Sequence, residues 1–143
     1  MTEEEEDESK KTGRVIVKKV LTIRVQCEEP YSVQGKNCKV CMVPFTGMAT
    51  GELFTGRIIG TGVDTQKFIK GQSGQLSARY MLEGKDYTGA TCRIFIENSL
   101  HDEAGWHPMI VTDSEALSYL EDANLIATVD GIEGGVLVQV YEE

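Results

Sequence analysis

Residues 14–25 read RVIVKKVLTIRV, and their period decides the fold. Val15, Val17, Lys19, Leu21, Ile23 and Val25 alternate with Arg14, Ile16, Lys18, Val20, Thr22 and Arg24. A repeat of two with β-branched side chains throughout marks a strand, because successive side chains in a strand point to opposite faces. Twelve residues make a long strand. A strand of that length can bend and pair along both ends, which suits a sheet that closes on itself and leaves no open edge.

Outward from this run, strand-like segments recur at short intervals. They are residues 37–45, 52–59, 75–83, 90–97, 107–111, 123–129 and 136–141, with a weaker one at 65–69. The breaks carry turn residues: Gly47, the run Gly60, Thr61, Gly62, then Gly71 and Gly74, the run Gly84, Lys85, Asp86, and Asp130 to Gly131 with Gly134 and Gly135. One segment reads as helical. Thr112 and Glu115 are spaced as in a capping box, and Ala116, Leu117, Tyr119 and Leu120 supply an apolar stripe of about two turns. The chain is therefore expected to be all-β, an antiparallel closed or nearly closed β-barrel of about eight or nine strands with one short helix.

The 143 residues make one domain, long enough to bury a single sizeable core. Fourteen basic against twenty-three acidic residues give a net charge of −9. That balance argues against nucleic acid as a partner, since a phosphate-backbone binder needs a basic face. No stretch approaches the roughly 18 apolar residues of a membrane span, and the N-terminus is acidic where a secretory signal is basic and then apolar. A cytoplasmic, soluble domain is expected. Residues 3–8 are all acidic, so residues 1–12 carry −4 and read as a flexible tail ahead of a barrel over 13–143.

Four cysteines are present: Cys27, Cys38, Cys41 and Cys92. Cys38 and Cys41 have a C-x-x-C spacing, but a zinc ribbon needs a second pair. Within a strand, positions three apart also face opposite ways and chelate badly. Reduced, mostly buried thiols are expected, and no metal. His101 and His107 flank a loop with Asp102, Glu103 and Trp106, in a spacing that fits no compact metal motif. There is no nucleophile elbow and no flavin or nicotinamide fingerprint, so no cofactor is expected.

The densest polar constellation lies on residues 64–97. The segment 75–83 splits into Leu76, Ala78, Tyr80 and Leu82 against Ser77, Arg79 and Met81, and 90–97 into Cys92, Ile94 and Ile96 against Arg93, Phe95 and Glu97. A hairpin through 85–89 must pair the apolar faces, because a slip of one residue mixes them. Ser77, Arg79, Arg93 and Glu97 then share one face, with Asp64 and Gln66 near a barrel rim. In one reading that face is solvated and its ion pairs contribute little. In the other it lines a pocket: Arg79 holds an anion, Asp64 or Glu97 moves a proton, Gln66 and Arg93 bind the ligand, and Phe95 and Met81 form apolar walls. Tyr80 falls on the opposite face from Arg79 unless a bulge intervenes.

The same residues carry a resemblance. GTGVDTQ at 60–66, LSARYMLEGKDYTG at 76–89 and IFIEN at 94–98 resemble the bacterial and fungal domain-of-unknown-function family number 3237, over about residues 15–141. The run TDSEALSYL at 112–120 is similar to a subfamily of its bacterial members. Thr61 departs from the pattern, where a second glycine is usual. The resemblance implies a compact β-barrel-like domain that associates as a homodimer or higher oligomer, with Asp64, Arg79, Tyr80 and Glu97 at motif positions. It implies no established activity. The function expected is small-molecule binding, extending to a lyase, isomerase or cyclase acting on a small carbonyl or carboxylate compound. The catalytic residues would be Asp64 and Glu97, and the ligand-binding residues Arg79, Tyr80, Gln66, Arg93 and Phe95. The alternatives are a non-catalytic carrier or sensor, and a structural or interaction domain.

Overall fold

The computed structural model describes residues 17–101 and 105–143. The acidic run of 1–12 and the loop carboxylates Asp102 and Glu103 lie outside the described residues. Ten strands form one antiparallel sheet. They are β1 Lys18–Cys27, β2 Tyr31–Gln34, β3 Cys38–Thr50, β4 Phe54–Ile58, β5 Gly62–Ile69, β6 Gln75–Asp86, β7 Thr91–His101, β8 Met109–Thr112, β9 Leu125–Ile132 and β10 Gly135–Glu142. The sheet runs β8-β7-β6-β4-β3-β1-β10-β9, with β5 between β3 and β6 and β2 on β3. Trp106 then bridges Leu100 of β7 to Ala127 of β9. The sheet thus curls until its two ends nearly meet, giving a nearly closed β-barrel.

The long first strand does what its length suggested. β1 pairs with β10 along one edge and with β3 along the other. Its strict alternation breaks once. The register with β10 shifts between Lys19 and Leu21, and Val20 and Leu21 are both buried, as a bulge that bends the strand requires.

Three local readings are corrected. β3 does not stop at Phe45 but continues to Thr50, and Gly47, read as a break, lies inside it. There β1 passes so close that a Cβ on Gly47 would sit 2.6 Å from the Arg24 carbonyl oxygen. The glycines at 60 and 62 do not reverse the chain either. β4 and β5 each pair antiparallel with β3 and with β6, so they run the same way as two halves of one offset strand.

The expected helix at 112–120 reduces to a single 3₁₀ turn, Ser118–Glu121. Its would-be cap is occupied elsewhere. Thr112 belongs to β8 and its hydroxyl donates to the Arg93 carbonyl oxygen at 2.7 Å. Ser114 instead accepts from the Leu117 amide and donates to Asp86 Oδ2. Short polar side chains that bond the nearby backbone favour turns, and two turns are too few to nucleate a helix unaided.

The core fills the barrel from one face of every long strand. Leu21 and Ile23, Phe45 and Ala49, Phe54 and Ile58, Leu82, Ile94 and Ile96, and Val140 are all buried. β6 and β7 form the expected hairpin, with Tyr80 opposite Ile96 and Leu82 opposite Ile94 inside, and Arg79 opposite Glu97 and Met81 opposite Phe95 outside.

Candidate functional site

Strand parity divides the expected site residues between the two faces of the wall. Tyr80 points inward and is 5% exposed. Arg79, Arg93, Glu97 and Phe95 point outward. Arg79 Nε lies 2.6 Å from Glu97 Oε2 and Arg93 Nε lies 2.9 Å from Glu83 Oε2, in pairs open to solvent. An outer groove of about 500 Å³ runs beside the first pair, lined by Lys67, Gln75, Ser77 and Ser99 among others. The structure therefore does not bring Arg79 and Asp64 into one pocket. Exposed pairs of this kind contribute at most about 1 kcal/mol.

Asp64 and Gln66 lie on the inner side. Asp64 stands opposite Ala78 on β6, and Ala78 opposite Asn98 on β7, so the three share one cross-strand row. The middle member is the smallest, which leaves open space between a carboxylate and an amide carried two strands apart. That space is a partly open cavity of about 170 Å³ on the inner side of the barrel wall. Asp64, Tyr80 and Asn98 reach it from one side, and Val43, Val129 and Val138 give it apolar walls. Trp106, the chain's single tryptophan, also lines it.

The polar groups of this cavity are incompletely satisfied. Gln66 Nε2 donates to Asp64 Oδ2 at 2.9 Å and so fixes the carboxylate. Among the described residues, Asp64 Oδ1, Tyr80 Oη and Asn98 Oδ1 are the buried side-chain atoms with no hydrogen-bond partner. All three belong to residues lining the same cavity. A buried polar atom without a partner costs about 1–3 kcal/mol, so three beside one cavity call for an explanation.

Local packing explains how Tyr80 is held. Its ring meets that of Phe45 edge to face, with centroids 5.3 Å apart. Phe45 can lie there because Gly62 has no side chain: a Cβ at that position would sit 2.5 Å from the Phe45 ring and 2.7 Å from Tyr80 Cβ. Burial raises the Tyr80 phenol well above its usual range, so it stays a hydrogen-bond donor. At the cavity edge the Cys27 thiol is pushed up, first by burial and then by the Asp64 charge.

Residues 16–101 match the family described as a protein of unknown function, DUF3237, over more than half of the chain. The chain belongs to the DUF3237 family. The matched part of this DUF3237 chain contains Asp64, Gln66, Tyr80 and Asn98, whereas Trp106 and the valines of β9 and β10 lie beyond it. No curated protein matches the sequence.

Solved structures share the fold. A protein of unknown function from Clostridium acetobutylicum superposes with a TM-score of 0.70 at 19% identity, over 90% of this chain and 99% of the other. A β-barrel-like protein from Acinetobacter baumannii gives 0.66 at 16% identity, over 89% and 94%. A protein described as an enzyme from Penicillium herquei gives 0.66 at 15%, over 89% and 92%. The similarity runs almost end to end in both partners, so the barrel is the whole of the shared unit.

Asn98 was missed by the sequence reading, which ended the strand at Glu97. The signal was present. Cys92, Ile94 and Ile96 mark the inward face, and Asn98 is the next residue of that parity, a polar group closing an apolar series. Cys38 and Cys41 fall on opposite sides of β3 by the same parity. Among the described residues no group of three His, Cys, Asp or Glu side chains could hold a metal ion.

Proposed function

We propose that this barrel binds a small, neutral, largely apolar organic molecule in its inner cavity, through a carbonyl oxygen that accepts from the Tyr80 hydroxyl and a hydroxyl group that donates to Asp64 Oδ1 or Asn98 Oδ1. One observation carries the reading: three buried polar atoms without partners all belong to residues lining one apolar cavity. A cavity of about 150 Å³ holds a benzene-sized molecule, so about 170 Å³ accommodates a ring with one or two polar substituents. The residues lining it include Asp64 and no lysine or arginine. A neutral carbonyl compound suits it better than a carboxylate, and Arg79 has no part in it.

The arrangement extends to acid–base chemistry on that molecule. Gln66 holds one carboxylate oxygen of Asp64 and leaves the other free to take a proton from carbon or oxygen. The Tyr80 hydroxyl donates to the carbonyl oxygen on which negative charge then develops. This is the chemistry of an isomerase, a lyase or a cyclase, and one structural neighbour is described as an enzyme. Four free thiols suit a reducing, cytoplasmic setting.

Native mass spectrometry of freshly purified protein, against the same sample denatured, tests the reading. The expected result is a small organic mass released on denaturation and absent from an Ala78→Leu variant that fills the cavity. Wild-type protein that carries no adduct, even after incubation with millimolar aromatic ketones and phenols, would overturn it. Asp64→Asn then separates enzyme from carrier: an enzyme loses turnover and keeps the adduct.

A further inference from the structure

The outer wall carries a pattern that the cavity does not use. Met81, Phe95 and Val111 stand in one cross-strand row over β6, β7 and β8. Met81 is 36% and Val111 47% exposed. Single exposed apolar residues are ordinary, but a contiguous row is a recognition surface.

The rows on either side are charged in a definite order. On one side the order is Val63, Arg79, Glu97, Met109, and on the other it is Arg57, Glu83, Arg93. Asp113 completes the second row, since its amide donates to the Arg93 carbonyl oxygen and its carboxylate accepts from the Arg93 amide. Rotating a second copy by a two-fold axis that lies along the strands, between β6 and β7, places β6 on the partner's β7 and β4/β5 on its β8. Arg79 then faces a Glu97, Glu83 an Arg93 and Arg57 an Asp113, while Met81 faces a Phe95 and Val63 a Met109. Each of the six charged positions meets an opposite charge, and Met81, Phe95, Val63 and Met109 meet apolar partners. An in-plane axis across the strands instead sets Val63 on an Arg57 and Met109 on an Asp113, which leaves charge against apolar surface.

We propose that two copies of this chain pair face to face through the outer surface of β6 and β7, about a two-fold axis parallel to those strands. A two-fold interface uses the same patch on both subunits and must be complementary to itself. This patch meets that condition at its six charged positions and at Met81, Phe95, Val63 and Met109. The apolar row supplies the buried centre and the ion pairs the rim that fixes orientation.

The test is sedimentation velocity on the full chain at high micromolar concentration, with circular dichroism to confirm folding of each variant. Wild-type protein is expected at twice 15.8 kDa, and Met81→Asp at the monomer mass. Arg79→Glu places like charges together twice per dimer and weakens association at least about tenfold. Adding Glu97→Arg restores it, because this axis joins positions 79 and 97, and adding Glu83→Arg does not. A monomeric wild type, a dimer that survives both Met81→Asp and Arg79→Glu, or a rescue by Glu83→Arg in place of Glu97→Arg would overturn the proposal.

Discussion

Asp86 shows how a single carboxylate can hold a barrel end in place. Its Oδ1 accepts from the Thr88 amide, the Thr88 hydroxyl and the Ala90 amide, and its Oδ2 from the Ser114 hydroxyl. The side chain thereby ties the β6–β7 turn to the segment after β8. The Thr88 and Ser114 hydroxyls hold the carboxyl below the usual carboxylate range, against the effect of burial. A lowered pKa in the folded state contributes stability that is complete above the unfolded value of about 3.9 and is lost as pH falls through the folded value. Asp86→Asn is therefore expected to lower the urea midpoint at pH 7, with a gap to wild type that narrows at pH 3 and below. Tyr80→Phe is expected to act in the opposite sense. It removes a buried hydroxyl without a partner, so the ligand-free protein should gain about 1 kcal/mol in urea unfolding while affinity for a carbonyl ligand falls. The two residues differed in how they could be read. Parity set Tyr80 on the face opposite Arg79 and left open which face points inward, whereas the clamp at Asp86 depends on Ser114, 28 positions away, and no local pattern announces that meeting.

Among the elements, β4 and β5 were the least legible. A strand broken by two glycines reads as two strands and a turn, whereas the structure keeps both halves on one line between β3 and β6. Turn chemistry is local, but the continuation is decided by distant partners, as in Cys41 opposite Gln66 and Phe54 opposite Asp86. The β6–β7 hairpin was legible for the converse reason. Its two faces differ so sharply that only one register keeps Tyr80, Leu82, Ile94 and Ile96 together. The expected site divides at that same hairpin: its polar face, with Arg79 and Glu97, is the outside of the barrel and lines the outer groove, whereas Asp64 and Tyr80 line the inner cavity. Gly62 at the start of β5 ties element to site. Gly62→Ala is expected to push the Phe45 ring against Tyr80, cost about 1–3 kcal/mol in thermal unfolding and distort the cavity, because overpacking forces off-rotamer side chains.

At the scale of the whole molecule, closure creates the cavity. Asp64, Tyr80 and Asn98 come from three neighbouring strands, but the cavity exists only because β9, β10 and Trp106 return from the far end of the chain to cover them. An outline of this architecture follows from the period of residues 14–25 and the spacing of later runs. The cavity does not, since its volume depends on a small Ala78 between two polar neighbours, and size contrast across strands has no periodic signature. Trp106 offers a direct reporter, as the one tryptophan of the chain and a wall of the cavity. The most direct test of an interior binding site is its emission during titration with acetophenone-sized aromatic ketones. The expected result is saturable quenching that weakens in Tyr80→Phe, disappears in Ala78→Leu and is unchanged in Arg79→Ala. Quenching that rises linearly without saturation, alike in wild type and Ala78→Leu, would contradict it.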